Sequence, residues 1–398
     1  MGAESVHILG VYDAFKKLGH NVSMLSFPGA DPSLSAAHDP GKADIKSRSF
    51  NPLKLAANLT RFMPQFLFEA CEVAYNLVAF PRLHKCVKQN KTDLVYERYS
   101  LFMMAGVLYA KLTGKKIIIE VNDSALVHRV RPITFKWLAR TIEKWVFKNT
   151  DGIVFISTYF QKLAIDNYGS DIINNSCVSP NAANLDHFKP RSEASLCAKK
   201  NLGLGSQVVL GYVGAFVHWH GIDWFVDEIA SKLKENPHLT LLLVGSGVAL
   251  DSIKQRVKLE GVEDQVILPG RVPHSEVHKY ISAMDFGIIP DSNHYGSPMK
   301  LFEFMAMGVG MVVPDFDPIT EVVSDNNNSW LFKSQDRNAC VNKVLEISRS
   351  PALQKEVGVG AREYIVNQRQ WVHNAQALLN LLSDNDISPK QLVEERVN

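Results

Sequence analysis

Cysteine is sparse and unpatterned in this chain. Cys71, Cys86, Cys177, Cys197 and Cys340 are scattered over 398 residues; their number is odd and no C-x-x-C pair occurs, which argues against a disulfide framework and against a zinc site. Charge of one sign is also lacking. Lys and Arg (43) nearly balance Asp and Glu (41), leaving a net charge of +2, so no overall field favours nucleic acid, and an anionic ligand must be held by local groups. No apolar run approaches the roughly 18 to 20 residues of a membrane-spanning helix. No charged segment followed by an apolar one opens the chain as a leader would, and no short repeat or low-complexity tract occurs. A metal-free protein of a reducing cytosol is the expectation.

What the chain has is an ordinary globular composition, 46% apolar and 21% charged, in a length too great for one comfortable core, so two domains are expected. Strand-like apolar runs alternate with helix-length amphipathic stretches throughout, the pattern of parallel α/β architecture. Asn21 to Phe27, Leu94 to Glu97, Lys116 to Val121 and Gly152 to Ser157 read as strands of a first unit. Ser176 to Pro190, broken by prolines and asparagines, and the polar Arg191 to Gln207 read as a linker. A second series follows at Val208 to Val213, Leu239 to Val244, Gln265 to Leu268, Phe286 to Ile289 and Val309 to Val313. Ala361 to Leu382 has a helical period interrupted near Trp371, and a charged tail begins at Ser383.

Open parallel sheets bind ligands outside the carboxyl ends of their strands, where loops and helix N-termini offer unpaired N–H groups. The first strand of the second series ends in GYVGAFVHWHGIDWF, in which Gly214 allows close backbone approach and His218 and His220 precede Gly221 at a helix start. Its plain alternative is a tight turn with solvated histidines. YGSPMKLFEFMAMGVGMVVPD, Tyr295 to Asp315, is the strongest segment: Gly296, Ser297 and Pro298 form a loop that opens a helix over Met299 to Met307. Lys300 and Glu303 share a face of that helix. A lysine in a helix's first turn suits a pyrophosphate, and a carboxylate one turn later suits the two hydroxyls of a ribose. A solvated Lys/Glu pair is the plain alternative for an arbitrary helix; the neighbouring loop, the small-residue run and the strand that follows argue for the ligand.

SPMKLFEFMAMG and WHGID, together with LVYERYSLF, IIIEVND, VFISTYFQKLAIDNYG, VSPNAANLDHFKP, LLLVGSG and VILPGRVPHSEVHKYISAMDFGIIP, occur here in an order and spacing that resemble the GT4 retaining glycosyltransferases over nearly the whole chain. The resemblance implies two Rossmann-like parallel-sheet α/β domains facing across a cleft (GT-B). Residues 1–190 would form the acceptor-side domain, 191–362 the nucleotide-sugar domain, and 363–398 a helix crossing back to the first domain plus a polar tail. It implies transfer, with retention, of a hexose from a UDP- or GDP-linked sugar to a hydroxyl of a glycan, lipid or small molecule, in cell-surface polysaccharide or glycoconjugate synthesis. No metal, cofactor or nucleic acid is implied.

The donor residues carried over are Gly214, Gly221, Gly296, Ser297, Pro298, Met299, Lys300, Leu301 and Glu303, with the backbone at Arg271 and Val272 meeting the base. Asn122, Lys300 and His220 stand at catalytic positions; Gly2, Ala3, Glu4, Arg98 and Glu120 stand on the acceptor side. Arg98 and Glu120 have a structural ion pair as their alternative. The chain departs from the family pattern at four points. Tyr295 replaces the first Glu of E-x7-E, and His220 stands where many members have a cation. Asn122 replaces a frequent His, and the strand that usually precedes G-A-E is missing. Lys16, Lys17, Lys54 and Arg61 offer a peripheral contact with the inner membrane face through the first domain, or a merely solvated one. The rival readings are a non-catalytic nucleotide-sugar binder and a sugar-nucleotide epimerase.

Overall fold

A computed structural model describes residues 3–26, 63–127, 132–190 and 198–383. The chain begins with helices α1 (Ala3–Lys17) and α2 (Gln65–Asn90). It then alternates β1 (Leu94–Arg98), α3 (Ala105–Thr113), β2 (Lys116–Val121), α4 (Lys136–Asn149), β3 (Gly152–Phe155), α5 (Thr158–Tyr168) and β4 (Ser176–Val178). These strands form one parallel sheet in sequential order. Helices lie over it, so β2 can be apolar on both faces: Ile117, Ile118, Ile119 and Val121 are all buried. Ser157 caps α5, its Oγ accepting from Phe160 N at 3.4 Å.

The second series is β5 (Val208–Val213), α6 (Ile222–Leu233), β6 (Leu239–Val244), α7 (Leu250–Glu260), β7 (Val266–Gly270), α8 (Val277–Ile281), β8 (Phe286–Ile288), α9 (Met299–Ala306), β9 (Met311–Pro314), α10 (Asp317–Thr320), β10 (Trp330–Phe332), α11 (Arg337–Ser348), α12 (Pro351–Gln368) and α13 (Trp371–Ser383). Its six strands are parallel in the order β10-β9-β8-β5-β6-β7. Alternate residues of each strand feed opposite faces. Leu210, Leu241 and Phe286 join one apolar cluster with Phe225 and Ile229 of α6, whereas Val209, Leu242 and Val313 join another with Leu301 and Phe302 of α9. The chain builds outward from β5 to β7, then returns to add β8 on β5's other side. That reversal makes the carboxyl ends of β5 and β8, which stay paired, the topological switch point of the sheet.

By packing, the described residues within Val11–Ser179 and Ala375–Asn398 form one unit, and those within Met1–Gly10 and Pro180–Asn374 form the other. The closing helix therefore does return to the first unit: Leu381 lies against Gly152, and Asn175 Nδ2 donates to its carbonyl at 3.2 Å. Glu4 groups with the second unit, not with the first, where it was expected on the acceptor side. The cause is the start of α1, where His7 meets Trp371 edge-on at 4.8 Å and its Nδ1 lies 2.6 Å from Asn181 Oδ1.

Three expected features differ. Residues 21–26 form no strand; a strand exists only with a ladder partner, and β1 is hydrogen-bonded on one side only, to β2, among the described residues. Ser176–Val178, read as linker, is β4, a strand too short for a periodic signal and held by its register with Ile153–Phe155 of β3. The strand β10 went unread for the same reason. Phe27, Gly2, Lys54 and Arg61 lie outside the described residues.

Gly10 leaves room for the indole of Trp371: a Cβ there would stand 2.4 Å from Trp371 Cε2. Gly10→Ala is expected to lower unfolding free energy by about 1 to 3 kcal/mol, the usual cost of overpacking, in a urea titration. An unchanged midpoint would mean that the indole has somewhere else to go.

Candidate functional site

The loops that follow β5 and β8 lie at the reversal of strand order, and they abut. Asp291 N donates to His220 O at 3.2 Å, and a Cβ on Gly221 (φ +71°) would stand 2.8 Å from Asp291 Cβ. Gly214 ends β5 with φ +154°, and the space its missing Cβ leaves is taken by the ammonium of Lys300, 2.8 Å from where that carbon would be. Lys300 rises from the first turn of α9, and its Nζ sits 4.4 Å over the ring of Tyr212 and 3.2 Å from its hydroxyl. That is its only hydrogen bond among the described residues. Burial pushes the Lys300 pKa down to about 7, against the opposing pull of Glu303. A half-buried ammonium without a bonded carboxylate is a group whose charge an anion would balance.

His220 does not supply the positive charge expected of it. Its Nδ1 is 2.9 Å from the Ala215 carbonyl, to which the Tyr212 hydroxyl also donates at 2.9 Å. Burial, then the charge of Lys300, push its pKa down to about 4. At neutral pH the ring is uncharged, with Nδ1 donating and Nε2 left as an acceptor. That leaves Lys300 and the backbone N–H groups opening α6 and α9 as the groups here that could attract an anion.

Glu303, one turn after Lys300, is buried, and His274 Nε2 stands 2.7 Å from its Oε1. His274 lies in the turn after β7, four residues beyond Gly270, so this bond draws the stretch of Arg271 and Val272 toward the carboxylate. Arg271 is exposed and Val272 half-buried. Two residues expected at the donor also have structural duties. Leu301 is wholly buried in the core. Ser297 accepts Asn181 N at its hydroxyl (3.0 Å) and Asn181 Nδ2 at its carbonyl (2.5 Å), which pins the loop. Gly296, Pro298 and Met299 complete that loop, with Gly296 N donating to Asn293 Oδ1 at 2.5 Å. Tyr212, His274, Asn181 and His7 were missed, since each acts through a tertiary contact that no spacing announces; all but His7 stood within quoted segments.

In the first unit, Arg98 and Glu120 are register partners at the carboxyl ends of β1 and β2, and Asn122 follows directly. Glu120 takes a hydrogen bond from the Tyr96 hydroxyl, whose pKa burial and then this carboxylate push up. Arg98 Nη1 and Asn122 Nδ2 are buried without a hydrogen-bond partner. Two unpaired donors at strand ends are expensive to keep unless a ligand meets them. Ala3 and Glu4 open α1, and Glu4 is exposed.

A family model described as glycosyltransferase family 4 matches residues 5–187, and one described as glycosyl transferases group 1 matches residues 207–350. The chain is 21% identical to a GDP-mannose-dependent α-(1-6)-phosphatidylinositol monomannoside mannosyltransferase of Mycolicibacterium smegmatis, over 70% of this chain and 73% of that one. It is 20% identical to an Escherichia coli UDP-Gal:α-D-GlcNAc-diphosphoundecaprenol α-1,3-galactosyltransferase, over 76% and 78%. Among solved structures, Anabaena HepE in complex with UDP superposes with a TM-score of 0.65 at 16% identity, covering 76% of this chain and 82% of that one. A glycosyltransferase from Rickettsia africae gives 0.69 at 16% identity, covering 96% and 95%. Fold and matches define a glycosyltransferase of the GT-B class, an enzyme of EC 2.4 that uses a nucleotide sugar. Within that class the chain belongs to the GT4 family.

Because the Lys300 pKa is depressed by the protein alone and an anion would restore its charge, diphosphate binding should take up a proton above about pH 7. Affinity for uridine or guanosine diphosphate is expected to be flat below that pH and to fall up to roughly tenfold per unit above it. The ligand-free protein, conversely, should gain stability as pH rises from about 7 toward the ordinary lysine value. Calorimetry in buffers of different ionisation heat reads the uptake. A proton count of zero at alkaline pH would remove Lys300 from the phosphate.

Proposed function

We propose that the chain transfers a hexose, with retention, from a UDP- or GDP-linked sugar to a hydroxyl acceptor in cell-surface polysaccharide or glycoconjugate synthesis. The observation that carries this reading is the half-buried Lys300 ammonium, bonded among the described residues only to a tyrosine hydroxyl, one helical turn from a buried carboxylate at the reversal of strand order. Lys300 meets the pyrophosphate, Glu303 accepts from the ribose hydroxyls, and the backbone at Arg271 and Val272 meets the base. The relatives named for GDP-mannose and UDP-galactose chemistry support both nucleotides.

In the reaction the bond from sugar C1 to the β-phosphate oxygen breaks as the bond from C1 to the acceptor oxygen forms on the same face. The departing phosphate oxygen takes the acceptor's proton. Negative charge grows on the phosphate, where Lys300 and the N–H groups opening α9 balance it without a metal ion. His220, neutral, accepts a hydrogen bond at Nε2 from the sugar. Arg98 and Asn122 hold the acceptor through their unpaired donors, and positioning supplies the rest.

Lys300→Ala should weaken donor binding and slow turnover together, by roughly ten- to over a hundredfold, the worth of a charge-assisted hydrogen bond. Glu303→Gln should cost about 1 to 3 kcal/mol of affinity for a ribonucleotide donor and much less for its 2′-deoxy or 3′-deoxy analogue. Crossing the protein change with the ligand change cancels the effect of losing the His274 bond and isolates the ribose contact. Turnover of a panel of UDP- and GDP-sugars, followed by release of the diphosphate, selects the donor. If no panel member binds or turns over, or if the Glu303 penalty is equal for ribo- and deoxy-donors, the assignment of this site fails.

A further inference from the structure

The first unit carries an uneven distribution of surface chemistry that sugar transfer does not use. Its helix α2 is pinned to the starts of two other helices. Asn76 Oδ1 accepts from Met104 N and Ala105 N at 2.8 and 2.9 Å, fixing α2 to the start of α3. The buried Glu69 carboxylate accepts from Thr134 N and Phe135 N at 2.7 and 2.8 Å, fixing it to the approach to α4. The second anchor gathers large apolar side chains in solvent at one corner. Phe66 is 54% exposed, Leu67 43%, Phe135 43% and Trp137 77%. Farther along α2 the same outward face continues through Leu77 and Val78, 81% and 49% exposed.

Beside this corner runs a basic stripe. Lys136, Arg140, Lys144 and Lys148 are all exposed and recur every fourth residue of α4, so they lie on one face. Like charges at that spacing repel and weaken the helix. No exposed acid on α2, α3 or α4 offsets them. Glu143 is buried and accepts from Ser124 Oγ, Ala125 N and Tyr168 Oη; Glu69 is buried, and Glu72 is half-buried. In a chain of net charge +2, this is a local surplus placed beside exposed aromatic rings.

We propose that the corner of Phe66, Phe135 and Trp137, with the Lys136–Lys148 stripe, docks the first unit on an anionic lipid surface. Aromatic side chains enter the headgroup boundary while Lys and Arg reach out to lipid phosphates along their apolar stems. Charge complementarity chooses this partner. A second copy on a two-fold axis would set the basic stripe near itself, and a nucleic acid would meet the cations but leave the apolar corner wet. The residues differ from those expected to touch a membrane: Lys16 rests 4.3 Å over the Tyr12 ring, and Lys54 and Arg61 lie outside the described residues.

Flotation of the full-length protein with vesicles tests this, using phosphatidylcholine mixed with phosphatidylglycerol and phosphatidylcholine alone. Binding should require the anionic lipid and fall with added salt. Arg140→Gln combined with Lys144→Gln should lower the partition coefficient about 25-fold, at roughly fivefold per cation. Trp137→Ser should lower it severalfold, and the blue shift of tryptophan emission on binding should vanish in Trp137→Phe. These exposed substitutions should leave the unfolding midpoint and nucleoside diphosphate affinity unchanged, which keeps this test separate from that of the donor site. No binding to anionic vesicles, binding that the variants do not weaken, or a self-association that Trp137→Ser dissolves would each overturn the proposal.

Discussion

The reversal of strand order between β5 and β8 is the constraint from which the donor-side chemistry follows. Side-by-side parallel strands normally leave no gap at their carboxyl ends, because each crossover helix covers the next position. Where the chain turns back to the opposite side of β5, the loops after β5 and β8 diverge from neighbouring strands and their helices begin side by side. Gly214, Gly221 and Lys300 are useful because they stand there. The same residues on a sheet edge would make a solvated turn and a surface lysine.

Within that opening, function rests on groups held in states that water would not permit. Lys300 is partly withdrawn from solvent and given a tyrosine ring and hydroxyl in place of an acid, so its charge would be most stable with an anion beside it. His220 is kept neutral by the same burial and the same lysine. A cation and a neutral hydrogen-bond acceptor thus stand side by side next to Gly214. Glu303 is shaped from outside its own helix: His274 occupies one carboxylate oxygen and links the turn after β7 to α9. The loop before α9 is steadied by Asn181, which the start of α1 contacts through His7. The candidate site therefore leans on residues as far apart in sequence as His7 and Glu303.

The two units use their surfaces differently. The second unit gathers its unusual groups inside, at strand ends. The first leaves two buried donors, Arg98 Nη1 and Asn122 Nδ2, unpaired at the ends of β1 and β2, and concentrates cations and aromatic rings on α2 and α4.

The sequence by itself determined the α/β class, the two series of strands and the segment from Gly296 to Gly308, because period, turn residues and a quoted order of blocks are local properties that survive in one dimension. It also placed Lys300 and Glu303 on one helical face. Tertiary structure alone decided what those residues are. Burial, a property of the whole fold, turned Lys300 into a half-titrated cation and removed the charge expected of His220. Packing against Trp371 moved the start of α1 to the second unit, and the core claimed Leu301. Short strands β4 and β10 exist only through the neighbours that complete their hydrogen bonds, and residues 21–26, strand-like in pattern, form none. A strand or a charge is a relation between distant residues, and composition and period record only one side of it.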